Sequence, residues 1–207
     1  MKKIVLVFCL LAGLAAVGRA QESRQDVSLS GIGIITPFIA SSTDVQLHSR
    51  YGLGALASYR YQLTPNIALE ANYGLTYENK FRYEVGNSLS LGVTARVQEI
   101  SGAFVRSFTY KKFNPFVEAG PAGLIFLPVR NSGTQSLDAK QQTQVGILYG
   151  GGVAYEISPS FDIRAQYRAY VTKVPNFGLG TSANEENLTT NKWWNMYVPT
   201  VGVAYHF

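Results

Sequence analysis

The stretch YQLTPNIALEANY, Tyr61 to Tyr73, returns as YEISPSFDIRAQY, Tyr155 to Tyr167. Without a gap, Tyr meets Tyr at both ends, Pro65 meets Pro159 and Ala71 meets Ala165. Each copy reads as a strand end, a tight turn and the start of the next strand. Proline fixes φ for the turn and donates no ladder hydrogen bond. After the turn, Ile67, Leu69, Ala71, Tyr73, Leu75 and Tyr77 share one face, and Ala68, Glu70, Asn72, Gly74 and Thr76 the other. In the second copy Phe161, Ile163, Ala165, Tyr167 and Ala169 oppose Asp162, Arg164, Gln166 and Arg168. Period two over such a length is a half-buried strand.

The alternation extends outward from the repeat. Tyr51, Leu53, Ala55, Ala57, Tyr59 and Tyr61 alternate with Gly52, Gly54, Leu56, Ser58 and Arg60. Val145, Ile147, Tyr149, Gly151, Val153, Tyr155 and Ile157 alternate with Gly146, Leu148, Gly150, Gly152, Ala154 and Glu156. The final VGVAYHF sets Val201, Val203, Tyr205 and Phe207 against Gly202, Ala204 and His206. Three less regular strands fall near 27–39, 95–108 and 114–127, and Pro37, Pro121 and Pro199, in or near strands, mark bulges or rims. The connections at 62–66, 109–114 and 157–160 are short. Those at 40–49, 78–94, 128–142 and 172–194 are long and polar. Strict alternation of short and long predicts an up-and-down meander of eight antiparallel strands.

The bulk properties narrow the setting. MKKIVLVFCLLAGLAAVGRA, residues 1–20, has Lys2 and Lys3 before an apolar run and small residues at its end, the pattern of a secretory signal peptide. Residues 21–207 then form one domain. Cys9, the only cysteine, lies in that leader, so the exported chain is expected to fold without disulfides. Loss of Lys2, Lys3 and Arg19 leaves 18 − 3 = 15 basic residues against 13 acidic, a net of +2. Nucleic-acid binding has no electrostatic support at that charge. No later apolar run reaches the length of a spanning helix.

Alternation does not say what the apolar face touches. A soluble ligand-binding barrel keeps that face inside; a membrane barrel turns it to lipid. Three features favour lipid. The opposite face is rich in Gly, Ala and Ser with a few charges of both signs, as a narrow lumen needs. Tyrosines lie near both ends of the apolar face: Tyr51, Tyr59, Tyr61, Tyr73, Tyr77, Tyr155 and Tyr167. At ~3.3 Å per residue and a tilt near 45°, Tyr51 to Tyr59 or Tyr61 spans roughly 19–23 Å along the normal, close to a lipid band of ~25 Å. Third, the chain runs to Phe207 with Val203 and Tyr205 at alternate positions before it.

That ending resembles the C-terminal assembly signal of bacterial outer-membrane proteins, an aromatic last residue preceded by alternate apolar ones. With the leader, the eight strands and the unequal loops, the whole exported chain resembles the small OmpA/OmpX-type outer-membrane β-barrels. The resemblance implies an all-β, eight-stranded antiparallel transmembrane barrel in the bacterial outer membrane. Its partners would be outer-membrane lipid, the assembly machinery that reads Val203, Tyr205 and Phe207, and surface ligands met by the loops; the expected state is a monomer.

Inward by alternation lie Arg60, Glu70, Glu156, Asp162, Arg164 and Arg168, with Glu118 on a strand of unsettled phase. A charge in a narrow lumen needs a partner. The set reads as a salt-bridged filling of the interior, or as the lining of a narrow channel for ions or small solutes. Trp193 and Trp194 read as girdle residues at the outer rim, and Phe177 as a loop residue able to meet an external surface. His48 and His206 form no pair with a nucleophile. Neither catalytic nor metal-binding spacing is found, and no enzyme activity or cofactor is expected.

Overall fold

The computed structural model describes residues 24–37, 39–40, 45–49, 52–85, 89–133, 139–177 and 192–207. In chain order the strands are β1 (Gln25–Ile34), β2 (Ile39–Ala40), β3 (Val45–Ser49), β4 (Gly52–Thr64) and β5 (Ile67–Val85). Then follow β6 (Leu89–Ser107), β7 (Phe113–Gly133), β8 (Gln142–Ser158), β9 (Phe161–Lys173) and β10 (Trp193–His206). Eight of them, β1 and β4 to β10, close into an antiparallel up-and-down barrel. Closure runs through β1 against β10, with Val27 opposite Tyr205 and Leu29 opposite Val203. A closed sheet leaves no row of unpaired backbone groups for lipid to strip of water.

The repeated phrase forms two equivalent hairpins. Pro65 and Asn66 turn β4 into β5, and Pro159 and Ser160 turn β8 into β9. The likeness extends to a defect. The first hairpin shifts register between Gln62 and Thr64, the second between Glu156 and Ser158, and these positions correspond in the repeat. Each bulge tightens local twist before the turn.

The outer face is the apolar one. Leu53 is 75% exposed and Val145 73%, and Leu29, Ile100, Ile147 and Val201 project beside them. Such exposure on every wall is what a lipid-facing barrel presents and a water-facing one avoids.

The strands reach further than their alternation suggests. The loop expected at 78–94 is largely the upper half of the β5–β6 hairpin, paired from Asn79↔Ala95 to Val85↔Leu89. β7 continues to Gly133, and β10 begins at Trp193, well before VGVAYHF. The first long connection carries the short pair β2–β3, whose β3 adds to β5 with His48 opposite Arg82. A bulge explains the misreading of 78–94. Register shifts between Thr76 and Asn79, and both residues turn inward. The apolar phase therefore reverses, bringing Phe81 inside. Asn79 secures the bulge by donating to Thr76 Oγ1 (2.8 Å) and to the Ala95 carbonyl (3.2 Å).

The interior has two tiers. Towards the short turns it is polar and charged. Towards the long loops it is apolar, filled by Ile32, Leu56, Val97, Leu124, Leu148 and Met196. A ring cluster tops it: Phe81 lies 6.0 Å from Phe126, 5.7 Å from Phe177 and 6.3 Å from Trp194.

Candidate functional site

The charged tier is built from inward positions of seven strands, β1, β4, β5, β6, β7, β9 and β10. Arg60 on β4 stands directly across from Glu70 on β5, and the register makes their contact inevitable. Arg60 Nε donates to Glu70 Oε2 at 2.7 Å, and its guanidinium lies 4.8 Å over the Phe116 ring. Arg164 on β9 reaches past β10 to Asp26 on β1, Nη1 to Oδ1, at 2.7 Å. His206 completes this group, 2.8 Å from Asp162 Oδ2 and 3.9 Å from Asp26 Oδ2.

Arg168 crosses the barrel. It is fully buried, holds Glu99 on β6 at 2.9 Å through Nη2, and holds Glu118 on β7 at 3.2 Å through Nε. Ser101 donates to Glu99 at 2.7 Å. With its amide turned so that nitrogen donates, Asn72 bonds Glu70 (2.9 Å) and Ser58 (2.6 Å) and accepts from Arg168 (3.3 Å). Asn72 thereby joins the Arg60 pair to the Arg168 triad. Gly150 makes room for the crossing: a Cβ there would lie 3.1 Å from Glu118 Oε1 and 3.0 Å from Arg168 Cα. Among the described residues, five buried carboxyl groups face three buried guanidiniums, so the tier carries an acidic excess. Charge-assisted bonds in a dry interior are strong only when both partners stay in place.

Below Arg164 the tier opens at the short-turn end into a polar recess of about 200 Å³, lined by Arg60, Asp162, Arg164, Glu156, Lys111 and His206 among others. Above Arg168 the apolar tier closes over it.

Six of the seven inward charges read from the sequence, Arg60, Glu70, Glu118, Asp162, Arg164 and Arg168, meet in these ion pairs. Glu156 is half-buried at the recess and joins none of them. Asp26, Glu99, Asn72, Ser101 and His206 were missed as members. Asp26 falls just before one of the three less regular strands and Glu99 within another, so nothing marked them as inward.

The aromatics divide. Tyr59, Tyr61, Tyr73, Tyr77, Tyr155, Tyr167 and Trp193 project outward. Tyr59 donates to Gln25 Oε1 at 2.7 Å, and near the short turns Phe113 packs on Tyr155 at 4.9 Å and Phe161 on Tyr205 at 5.0 Å. Tyr51 lies outside the described residues, as do residues 1–20. Trp194 corrects the girdle reading. It is 4% exposed against 59% for Trp193, because adjacent strand residues face opposite ways and only one can meet lipid. Phe177 is likewise fully buried rather than displayed. Val203 and Tyr205 end the outer face of β10, and the Phe207 amide donates to the Gln25 carbonyl at 3.0 Å.

A closed eight-stranded barrel with apolar walls and an ion-paired lumen defines a membrane barrel protein. The family model of the outer membrane protein beta-barrel domain matches residues 6–207, and the chain belongs to that family of the bacterial outer membrane. No curated protein matches the chain. Among solved structures, Neisserial surface protein A is 16% identical, with 89% of this chain and 98% of that one covered and a TM-score of 0.54. OprG from Pseudomonas aeruginosa is 10% identical, with 90% and 97% covered and a TM-score of 0.58. Ail of Yersinia pestis, solved with the heparin analogue sucrose octasulfate, is 12% identical, with 90% and 100% covered and a TM-score of 0.52. At such identities the likeness is one of fold.

Proposed function

We propose that this chain is a closed outer-membrane barrel that serves envelope structure and surface interaction rather than solute passage. The observation that carries the reading is Arg168. Fully buried, it reaches from β9 into the lumen to Glu99 and Glu118 on the neighbouring strands β6 and β7, and the apolar tier lies above it. An eight-stranded interior has room for side chains and little else. In this reading residues 1–20 are removed as a signal peptide and residues 21–207 form the barrel, a monomer with no catalytic role. Val203, Tyr205 and Phe207 are read by the assembly machinery, and the long-loop end faces outward to meet surface ligands. The tyrosines and Trp193 mark the edges of the lipid band.

A narrow channel is the second reading, and the acidic excess of the lower tier favours cations for it. Planar-bilayer recording of the purified barrel separates the two. The closed reading expects no steady openings. Stable openings lost on Arg164→Gln or Arg168→Gln would establish the channel instead.

A further inference from the structure

Among the described residues, Phe177 is the one aromatic of the upper ring cluster that the barrel wall does not carry. It follows β9, beyond Lys173, yet its ring is fully buried against Phe81 (5.7 Å) and Phe126 (6.3 Å). Its backbone sits at φ 52°, the left-handed region that a bulky L-residue seldom occupies. The amides of Asn176 and Phe177 both donate to Gln142 Oε1, at 2.8 and 3.0 Å, and the Lys140 amide donates to the Phe177 carbonyl at 2.8 Å. A wall residue could fill this volume without backbone strain; a loop residue can also leave it.

A second observation points to an occupant. Trp194 is buried beside this cluster, 6.3 Å from Phe81, and its Nε1–H has no acceptor among the described residues. A buried donor without a partner is costly, and an incoming oxygen would satisfy it. Among the described residues, the buried charged side chains lie a tier below, so an uncharged guest suits the chamber better than an ion.

We propose that the upper tier is a binding chamber for a small, uncharged aromatic molecule bearing a hydroxyl or carbonyl oxygen, and that Phe177 is its built-in competitor. When Val174–Phe177 withdraws, the ligand ring takes the Phe177 position between Phe81 and Phe126. Its oxygen accepts from Trp194 Nε1. This goes beyond the closed-barrel reading, because the lower tier stays shut whether the chamber is full or empty.

The test uses the full barrel in lipid nanodiscs with Trp193→Phe, which leaves Trp194 as the only tryptophan. The probe is 4-bromophenol, whose heavy atom quenches a nearby indole. Quenching is expected to saturate. Phe177→Ala should tighten the midpoint by about tenfold or more, since a self-occluded site lowers apparent affinity by its open fraction. Gln142→Ala, which loosens the segment without emptying the core, should tighten it by a smaller factor, and this variant carries the test if Phe177→Ala does not assemble. Quenching that rises linearly in every protein, as partition into lipid would give, overturns the proposal. So does a saturable midpoint indifferent to residues 177 and 142.

Discussion

The two tiers fill the same eight strands with different chemistry. In the lower tier each large side chain is held by direction: Arg60 to Glu70, Arg164 to Asp26, and Arg168 to Glu99 and Glu118. In the upper tier Leu124, Phe126, Leu148 and Met196 are held by shape alone. Ion pairs demand named partners at named positions, whereas an apolar core accepts any set of similar volume. The lower tier should therefore tolerate little, and the upper tier should tolerate repacking but not loss of volume.

Substitutions at three sites sharpen that contrast, each read as the urea midpoint of folding into phospholipid vesicles. Arg168→Ala should have the largest effect, about 3–5 kcal/mol, because it leaves Glu99 and Glu118 buried without their cation. Adding Glu99→Gln and Glu118→Gln should recover part of that loss; no recovery would mean that Arg168 acts mainly through packing. Leu124→Ala in the apolar tier should cost about 2–4 kcal/mol, and Leu124→Met under ~1.5 kcal/mol. A Met variant as damaging as Ala would show that the upper tier is as position-specific as the lower. Glu156→Gln, at the recess and outside the ion pairs, should stay within about 0.5 kcal/mol of the parent. A larger loss would place Glu156 in the network after all.

Much of this was legible in the sequence, and the gaps have physical causes. The TPN and SPS turns, with period-two alternation on either side, were enough for the β4–β5 and β8–β9 hairpins and for the inward placing of Arg60, Glu70, Asp162, Arg164 and Arg168. The upper tier was not legible. In WWNMYVPTV both strand faces are apolar, so hydropathy cannot choose between Trp193 and Trp194, or between Met196 and Tyr197. The β5 bulge then reverses phase at a point where polar neighbours already suggest a loop. Asp26 and Glu99 stayed hidden for a related reason: a carboxylate declares its face only when the strand around it has a clear period. Phe177 left no signal at all, because its burial depends on the path of a connection and not on strand periodicity.

The most direct test of a sealed interior is thiol access. In the barrel of residues 21–207, which carries no cysteine of its own, Ser107→Cys would sit in the recess at the short-turn end and Ser101→Cys beside Glu99 within the charged tier. A small charged methanethiosulfonate would be applied to each side of the reconstituted barrel in turn. The account predicts rapid labelling at position 107 from the short-turn side alone, and protection of position 101 from both sides. Labelling of position 101 as fast as position 107, from either side, would contradict it and mark a lumen open through the Arg168 crossing.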